Sequence, residues 1–278
     1  MAPKTSDEEV EMGLIYEDKS GLLRRCFFDV QNGVGLGRQE QGYHRACEIW
    51  LRERGIPFRY KPPHPIMLHG EVVHALYPDL VAWDSITVEL KAVPRSLNPS
   101  ELAQLFDYLK CRNDRLGLLV NMGLDRVTVE RIVYDPPNYE CVEDWQYWSD
   151  HIKGPDRETG LAIRDTVRTL FEAHGTGYSR EVTKKLLLQE LAHRGLSFVS
   201  SPSAKAVFRG IVVDESPLDC LLIERRIVLV YTVLFDTNSF NINRGKSYMQ
   251  ALDLPWGVAV DFGRTKIQIA SLRHTPKH

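Results

Sequence analysis

The sequence has no apolar run approaching the ~20 residues that a bilayer-spanning helix requires. It has no CxxC pair, and almost no charge excess, the formal net being −2. The first absence excludes a helical membrane protein. The second, with an odd set of 5 cysteines (Cys26, Cys47, Cys111, Cys141 and Cys220), argues against a disulfide framework and a cysteine zinc site. Free thiols in a reducing cytoplasm are expected instead. The near-neutral balance neither demands nor excludes a nucleic-acid partner, because that depends on a local basic groove. The opening MAPKTSDEEVEM is acidic and polar, unlike a secretory signal or a transit peptide, so residues 1–20 are read as a flexible acidic tail of a cytoplasmic protein. None of the 9 histidines forms a pair with metal-ligand spacing, and none is assigned to a site.

What is present is enough apolar sequence, 43% of 278 residues, for one large or two ordinary soluble domains. Apolar spacing predicts helices over 21–31 and 38–54, the second stopped by Gly55. Extended stretches follow at 58–68 and 72–77, then a hairpin over 78–91 turning at Asp84-Ser85. Asn98-Pro99-Ser100 opens a helix, and apolar strands are predicted at 116–121 and 126–134. The order, α-β-β-β-α-β, indicates an α/β (α+β) unit, a mixed central sheet flanked by helices, over 21–135. Residues 136–160, polar and proline-bearing, read as a linker that Trp145, Tyr147 and Trp148 pack onto a domain face.

The unit then repeats. GLLVNMG at 117–123 is echoed by GVAVDFG at 257–263, an offset of 140 residues that also superposes Gly37/Gly177, Gly55/Gly195, Gly70/Gly210, Asp79/Asp219 and Tyr108/Tyr248. Two tandem copies of one fold are therefore expected, the second over 161–275.

The hairpin 78–91 carries the chemistry. Asp79, Glu89 and Lys91 interrupt an otherwise apolar stretch, and ionised groups in a core strand are costly unless paired or bound to a metal. Glu89 and Lys91 share one face of their strand. Asp79 faces Glu89 if the loop has an odd number of residues and lies on the opposite face if it has an even number. In the first case two carboxylates and an ammonium converge, a set suited to Mg²⁺ or Mn²⁺.

Pro78-Asp79 followed by Glu89-Leu90-Lys91 resembles the PD-(D/E)xK nuclease superfamily. Gly37-Arg38-Gln39-Glu40-Gln41-Gly42-Tyr43 fits the GxxExxY motif of one bacterial family within it, and Gln104 with Tyr108 fits the QxxxY motif of RecB-like members. The resemblance spans roughly residues 33–134, with the motifs in the family's order. It implies a restriction-endonuclease-like fold and hydrolysis of phosphodiester bonds, most simply those of DNA, by a Mg²⁺- or Mn²⁺-dependent enzyme. Carried over by position, it makes Asp79 and Glu89 metal ligands with the Leu90 carbonyl, Glu40 a further metal-side carboxylate, and Lys91 the catalytic lysine. Gln104 and Tyr108 would contact the scissile phosphate or orient Lys91. Arg38, Arg45, Arg95, Lys110 and Arg112 would permit phosphate contacts. A reading of another class keeps the fold but makes it a non-catalytic nucleic-acid-binding or protein-interaction module with a vestigial site.

At the offset of 140, Glu40 maps to Arg180, Glu89 to Leu229, Lys91 to Tyr231 and Gln104 to Arg244. The second copy is therefore expected to be a degenerate pseudo-nuclease. Arg180 would pair with Asp219 in a buried salt bridge, or Arg180 and Arg244 would bind a phosphate without cutting it.

Overall fold

The computed structural model describes residues 15–149, 151–234 and 238–275. They fall into two compact units. The first contains α1 (Glu17–Val34), α2 (Glu40–Glu53), β1 (Phe58–Tyr60), β4 (Leu80–Ala82), β5 (Ile86–Lys91), α3 (Pro99–Arg112), β6 (Leu116–Asn121) and β7 (Thr128–Val133). The intervening hairpin, β2 (His64–Leu68) and β3 (Glu71–Leu76), belongs to the second unit. That unit continues with β8 (Glu140–Asp144), α4 (Gly154–His174), α5 (Arg180–His193), β9 (Phe198–Ser200), β10 (Ser203–Phe208), β11 (Ile211–Pro217), β12 (Leu221–Ile223), β13 (Ile227–Val233), α6 (Asn238–Leu252), β14 (Trp256–Phe262) and β15 (Lys266–Arg273). Each half is thus a mixed sheet with helices, as expected.

In the first unit the sheet order is β1-β4-β5-β6-β7, antiparallel throughout except for the parallel β5–β6 pair, which α3 connects. Parallel neighbours need such a crossover. Its helix starts firmly: the Asn98 side chain accepts from Ser100 N–H at 2.9 Å, the Glu101 carboxylate takes Asn98 N–H at 2.6 Å, and Pro99 occupies the first turn. On the face opposite α3, α1 contributes Leu23, Cys26, Phe27 and Val30, and α2 contributes Tyr43, Cys47, Trp50 and Leu51, to one core with Val88, Leu90, Leu118 and Val120. The repeated glycine of GLLVNMG has a packing cause. A Cβ on Gly117 would lie 2.9 Å from Leu105 of α3, and one on Gly257 2.6 Å from Met249 of α6.

Gly42 has no such reason. It is exposed, with open space where a Cβ would stand. Gly42→Ala is therefore expected to raise the stability of α2 by about 0.5–1 kcal/mol, read as a higher melting temperature.

Three sequence readings need correction. Residues 17–20 begin α1 and 15–16 form the turn before it, while 1–14 of the expected tail lie outside the described residues. The stretch 136–160, read as a linker, contains β8, which pairs in parallel with β15 as the edge of the sheet β8-β15-β14-β13-β12-β9. It also contains the first turns of α4. Trp148 is buried there, its indole N–H donating to the Leu272 carbonyl at 2.9 Å, because an edge strand and an aromatic anchor bury more than a free connection could.

The third correction is to the repeat itself. Trp83 N–H bonds the Pro57 carbonyl, and Glu224 N–H bonds the Ser197 carbonyl; Lys61 N–H bonds Asp79, and Ser201 N–H bonds Cys220. Pro57/Ser197 and Lys61/Ser201 keep the offset of 140, but Asp79/Cys220 and Trp83/Glu224 are one residue further apart. An extra residue has entered between Ser216 and Cys220. The parallel registers Lys91↔Asn121 and Thr232↔Asp261 then place Thr232, not Tyr231, opposite Lys91, and the original offset returns by β14. Asp219 is therefore not the counterpart of Asp79.

Candidate active site

The β4–β5 register runs Leu80↔Val88 to Ala82↔Ile86, leaving the odd-length loop 83–85. Its central Asp84 carboxyl is held below the usual range by the Arg112 guanidinium and by Arg59. An odd loop puts Asp79 across from Glu89. The Leu90 N–H donates to Asp79 Oδ2 at 2.9 Å, so the residue expected to lend its carbonyl contributes its amide to fixing the aspartate. Asp79 is 6% exposed and Glu89 1%.

Burial first, and then the neighbouring Asp79 charge, raise the Glu89 carboxyl to about 8 against the opposing pull of Lys91. Lys91 Nζ donates to Glu89 Oε1 at 2.5 Å. Burial works to lower the Lys91 ammonium, but Glu89 and Asp79 outweigh it and hold the group above its ordinary value. Glu40, on the first turn of α2, has its carboxyl lowered by the neighbouring His44 imidazole despite partial burial.

His44 is the residue that sequence reasoning missed. Its Nε2 lies 3.6 Å from Glu40 Oε1 and 3.6 Å from Asp79 Oδ1, and potential ligand atoms of Glu40, His44 and Asp79 all fall within 4.8 Å of one another. The available signal was its position one helical turn after Glu40; histidine–histidine spacing cannot detect a mixed carboxylate–imidazole set. A pocket lined by Phe27, His44, Tyr60, Asp79, Val88 and Leu90, among others, lies beside these groups.

These residues fit a divalent cation. Glu89 Oε2 and His44 Nε2 are both buried without a hydrogen-bond partner, and such atoms carry a desolvation cost that a cation relieves. Carboxylate oxygens suit Mg²⁺ or Mn²⁺, and the imidazole nitrogen shifts the balance towards Mn²⁺.

The other expected groups are partly engaged elsewhere. Gln104 Nε2 donates to Tyr108 Oη at 2.6 Å. The Tyr108 phenol is raised, by burial first and then by the Glu89 charge, so it stands within electrostatic reach of the carboxylates. Arg95 is tied to Glu101 at 2.8 Å and Arg112 to Asp114 at 2.6 Å, structural pairings that compete with any phosphate role.

The second unit has no equivalent set among its described residues. Cys220, Val230 and Thr232 stand where the first has Asp79, Glu89 and Lys91. Burial, then Asp219, push the Cys220 thiol up to about 12. Arg180 and Arg244 both grip Asp219, at 2.5 and 3.0 Å, but Arg180 and Asp219 are half exposed, so the bridge is not the buried one expected. Arg244 also donates to the Tyr231 carbonyl at 2.8 Å.

A mixed sheet whose hairpin brings an aspartate, a glutamate and a lysine together beneath a helix carboxylate defines a nuclease-like domain, built here twice and furnished once. The chain belongs to the PD-(D/E)XK nuclease superfamily, whose profile matches residues 17–132 and again 157–272. No curated protein matches it.

Proposed function

We propose that the protein is a metal-dependent deoxyribonuclease of the GxxExxY type, with one working site in the first unit and a pseudo-nuclease second unit. The observation that carries this reading is the Asp79–Glu89–Lys91 cluster, with a buried Glu89 oxygen and a buried His44 nitrogen left without partners. Asp79, Glu40, Glu89 and His44 would hold Mg²⁺ or Mn²⁺. The cation supplies Lewis acidity and a more acidic bound water. Lys91 Nζ, fixed against Glu89, orients the attacking water and offsets charge developing on the phosphate oxygens. Tyr108, braced by Gln104, contacts the phosphate from α3.

The five free cysteines accord with work in a reducing cytoplasm, and no described helix is long and apolar enough to cross a membrane. A single site hydrolyses one strand per encounter. Supercoiled plasmid with Mg²⁺ or Mn²⁺ is expected to give nicked circle first; linear product without a nicked precursor would refute the one-site reading. A parallel RNA panel tests the choice of DNA.

His44→Ala is expected to weaken Mn²⁺ binding by roughly tenfold or more, by removing a ligand that also positions Glu40. Calorimetric titration checks this, and unchanged affinity would remove His44 from the donor set.

A further inference from the structure

The hairpin β2–β3 and its counterpart β10–β11 are built alike. Their registers match at the offset of 140, with the bulge between Ile66 and Met67 repeated between Ala206 and Val207. Both turn through a left-handed pair, His69-Gly70 and Arg209-Gly210. Their surroundings differ.

Within the second compact unit β2–β3 lies on α5. Glu71 accepts from Gln189 Nε2 at 3.1 Å, His74 Nδ1 is 3.0 Å from Lys185 Nζ, and His69 bonds the Glu190 carboxylate and stacks on His193 with ring centroids 3.9 Å apart. In that setting Leu68 is 4% exposed. Its counterpart in β10–β11, Phe208, is 63% exposed, and Ile211 and Val213 beside it are 68% and 62% exposed. A contiguous apolar patch of this kind marks an interaction surface.

The helix corresponding to α5 is α2, at the same offset of 140 (Glu40–Glu53 against Arg180–His193). Where α5 presents Lys185, Gln189 and His193 to its hairpin, α2 carries Arg45, Ile49 and Glu53 along one exposed stripe, Ile49 at 57% exposure. Transferring the observed contacts gives complementary pairs at each position. Glu71–Gln189 becomes Ile211–Ile49, polar on both sides replaced by apolar on both sides. His74–Lys185 becomes Asp214–Arg45, and His69–His193 becomes Arg209–Glu53, each with opposite charges.

We propose that the β10–β11 hairpin docks on α2 of a second copy of this chain, reproducing between molecules the hairpin-on-helix contact that β2–β3 makes with α5. The contact is heterologous, joining a hairpin of one molecule to a helix of the next, so it closes a ring or extends a chain. It is independent of whether the first unit is catalytic.

Sedimentation velocity of the full chain over roughly 1–100 μM, a range that brackets micromolar association, tests it. Wild type is expected to sediment as concentration-dependent species larger than a monomer. Asp214→Arg and Arg45→Asp should each weaken association by about tenfold or more, because like charges then face one another. Mixing the two variants in equal amounts should restore association, since the reversed hairpin meets the reversed helix and the unaltered partners meet each other. Far-UV circular dichroism confirms folding, and Ile211→Glu supplies a second disruption of the same contact. A wild type that stays monomeric throughout, as it would if the hairpin docked on its own chain, overturns the proposal. So does association that survives both charge reversals, or variants that fail to complement one another.

Discussion

Replacing Lys91 with alanine is expected to lower Mg²⁺- or Mn²⁺-dependent cleavage by ~10²–10⁴-fold, the range for loss of a positioned proton-transfer or charge-stabilising group. The ammonium is poised rather than merely present. Burial would lower it, yet Glu89 and Asp79 keep it charged, and its 2.5 Å bond to Glu89 fixes where the charge sits. Lys91→Met, nearly isosteric, should lose as much activity, which separates lost charge from lost packing. Both variants leave Glu89 buried without its cation, and that carboxyl, already shifted upwards, takes up a proton more readily still. Metal affinity should fall less than turnover, because Lys91 is not a ligand. Comparing single-turnover cleavage with metal titration separates these effects. Retained cleavage in Lys91→Met would show that the site works without this ammonium, or that another site cuts.

Much of this arrangement was legible because period-two alternation and loop parity are local properties of a strand. Asp79, Glu89 and Lys91 stood out as charges in an apolar run, and the loop 83–85 decides whether they meet. Non-local features were not legible. The hairpin β2–β3 looked like part of the first sheet because it is contiguous with β1, but its contacts are with α5 of the second unit. The edge strand β8 is short and mostly acidic, and resembles a linker until β15 pairs with it. The ungapped repeat was misleading within the hairpin because Asp79/Asp219 coincides by chance with a one-residue insertion; only backbone hydrogen bonds reveal that Cys220 is the counterpart of Asp79. The correction widens the contrast between the copies, since the second retains none of the three hairpin groups.

Glu89→Gln is expected to abolish cleavage and, without metal, to stabilise the protein increasingly as pH rises. The wild-type carboxyl has a folded value of about 8 against an ordinary 4.5. Between those values the folded state binds more protons at this site than the unfolded chain, so stability falls as pH increases through the window. Below about 4.5 both states are protonated and no difference arises; above about 8 the full penalty applies, on the order of 5 kcal/mol. Glutamine is uncharged throughout and removes this slope. The substitution also deprives Lys91 of a partner. The Lys91 value is raised, so that stabilisation is fully present below the ordinary lysine value and is lost only as pH rises through the folded one. Its loss is therefore a constant offset across pH 5–8, and the diagnostic quantity is how the difference in melting temperature between variant and wild type changes over roughly pH 5–9. A difference that grows with pH identifies Glu89 as the strained group. Added Mn²⁺ should then stabilise wild type most at the alkaline end, where the carboxylate is ionised, and should stabilise Glu89→Gln far less. A flat difference across the range would mean that Glu89 is already satisfied as an ion by Lys91, and the case for a metal at this carboxylate would go with it.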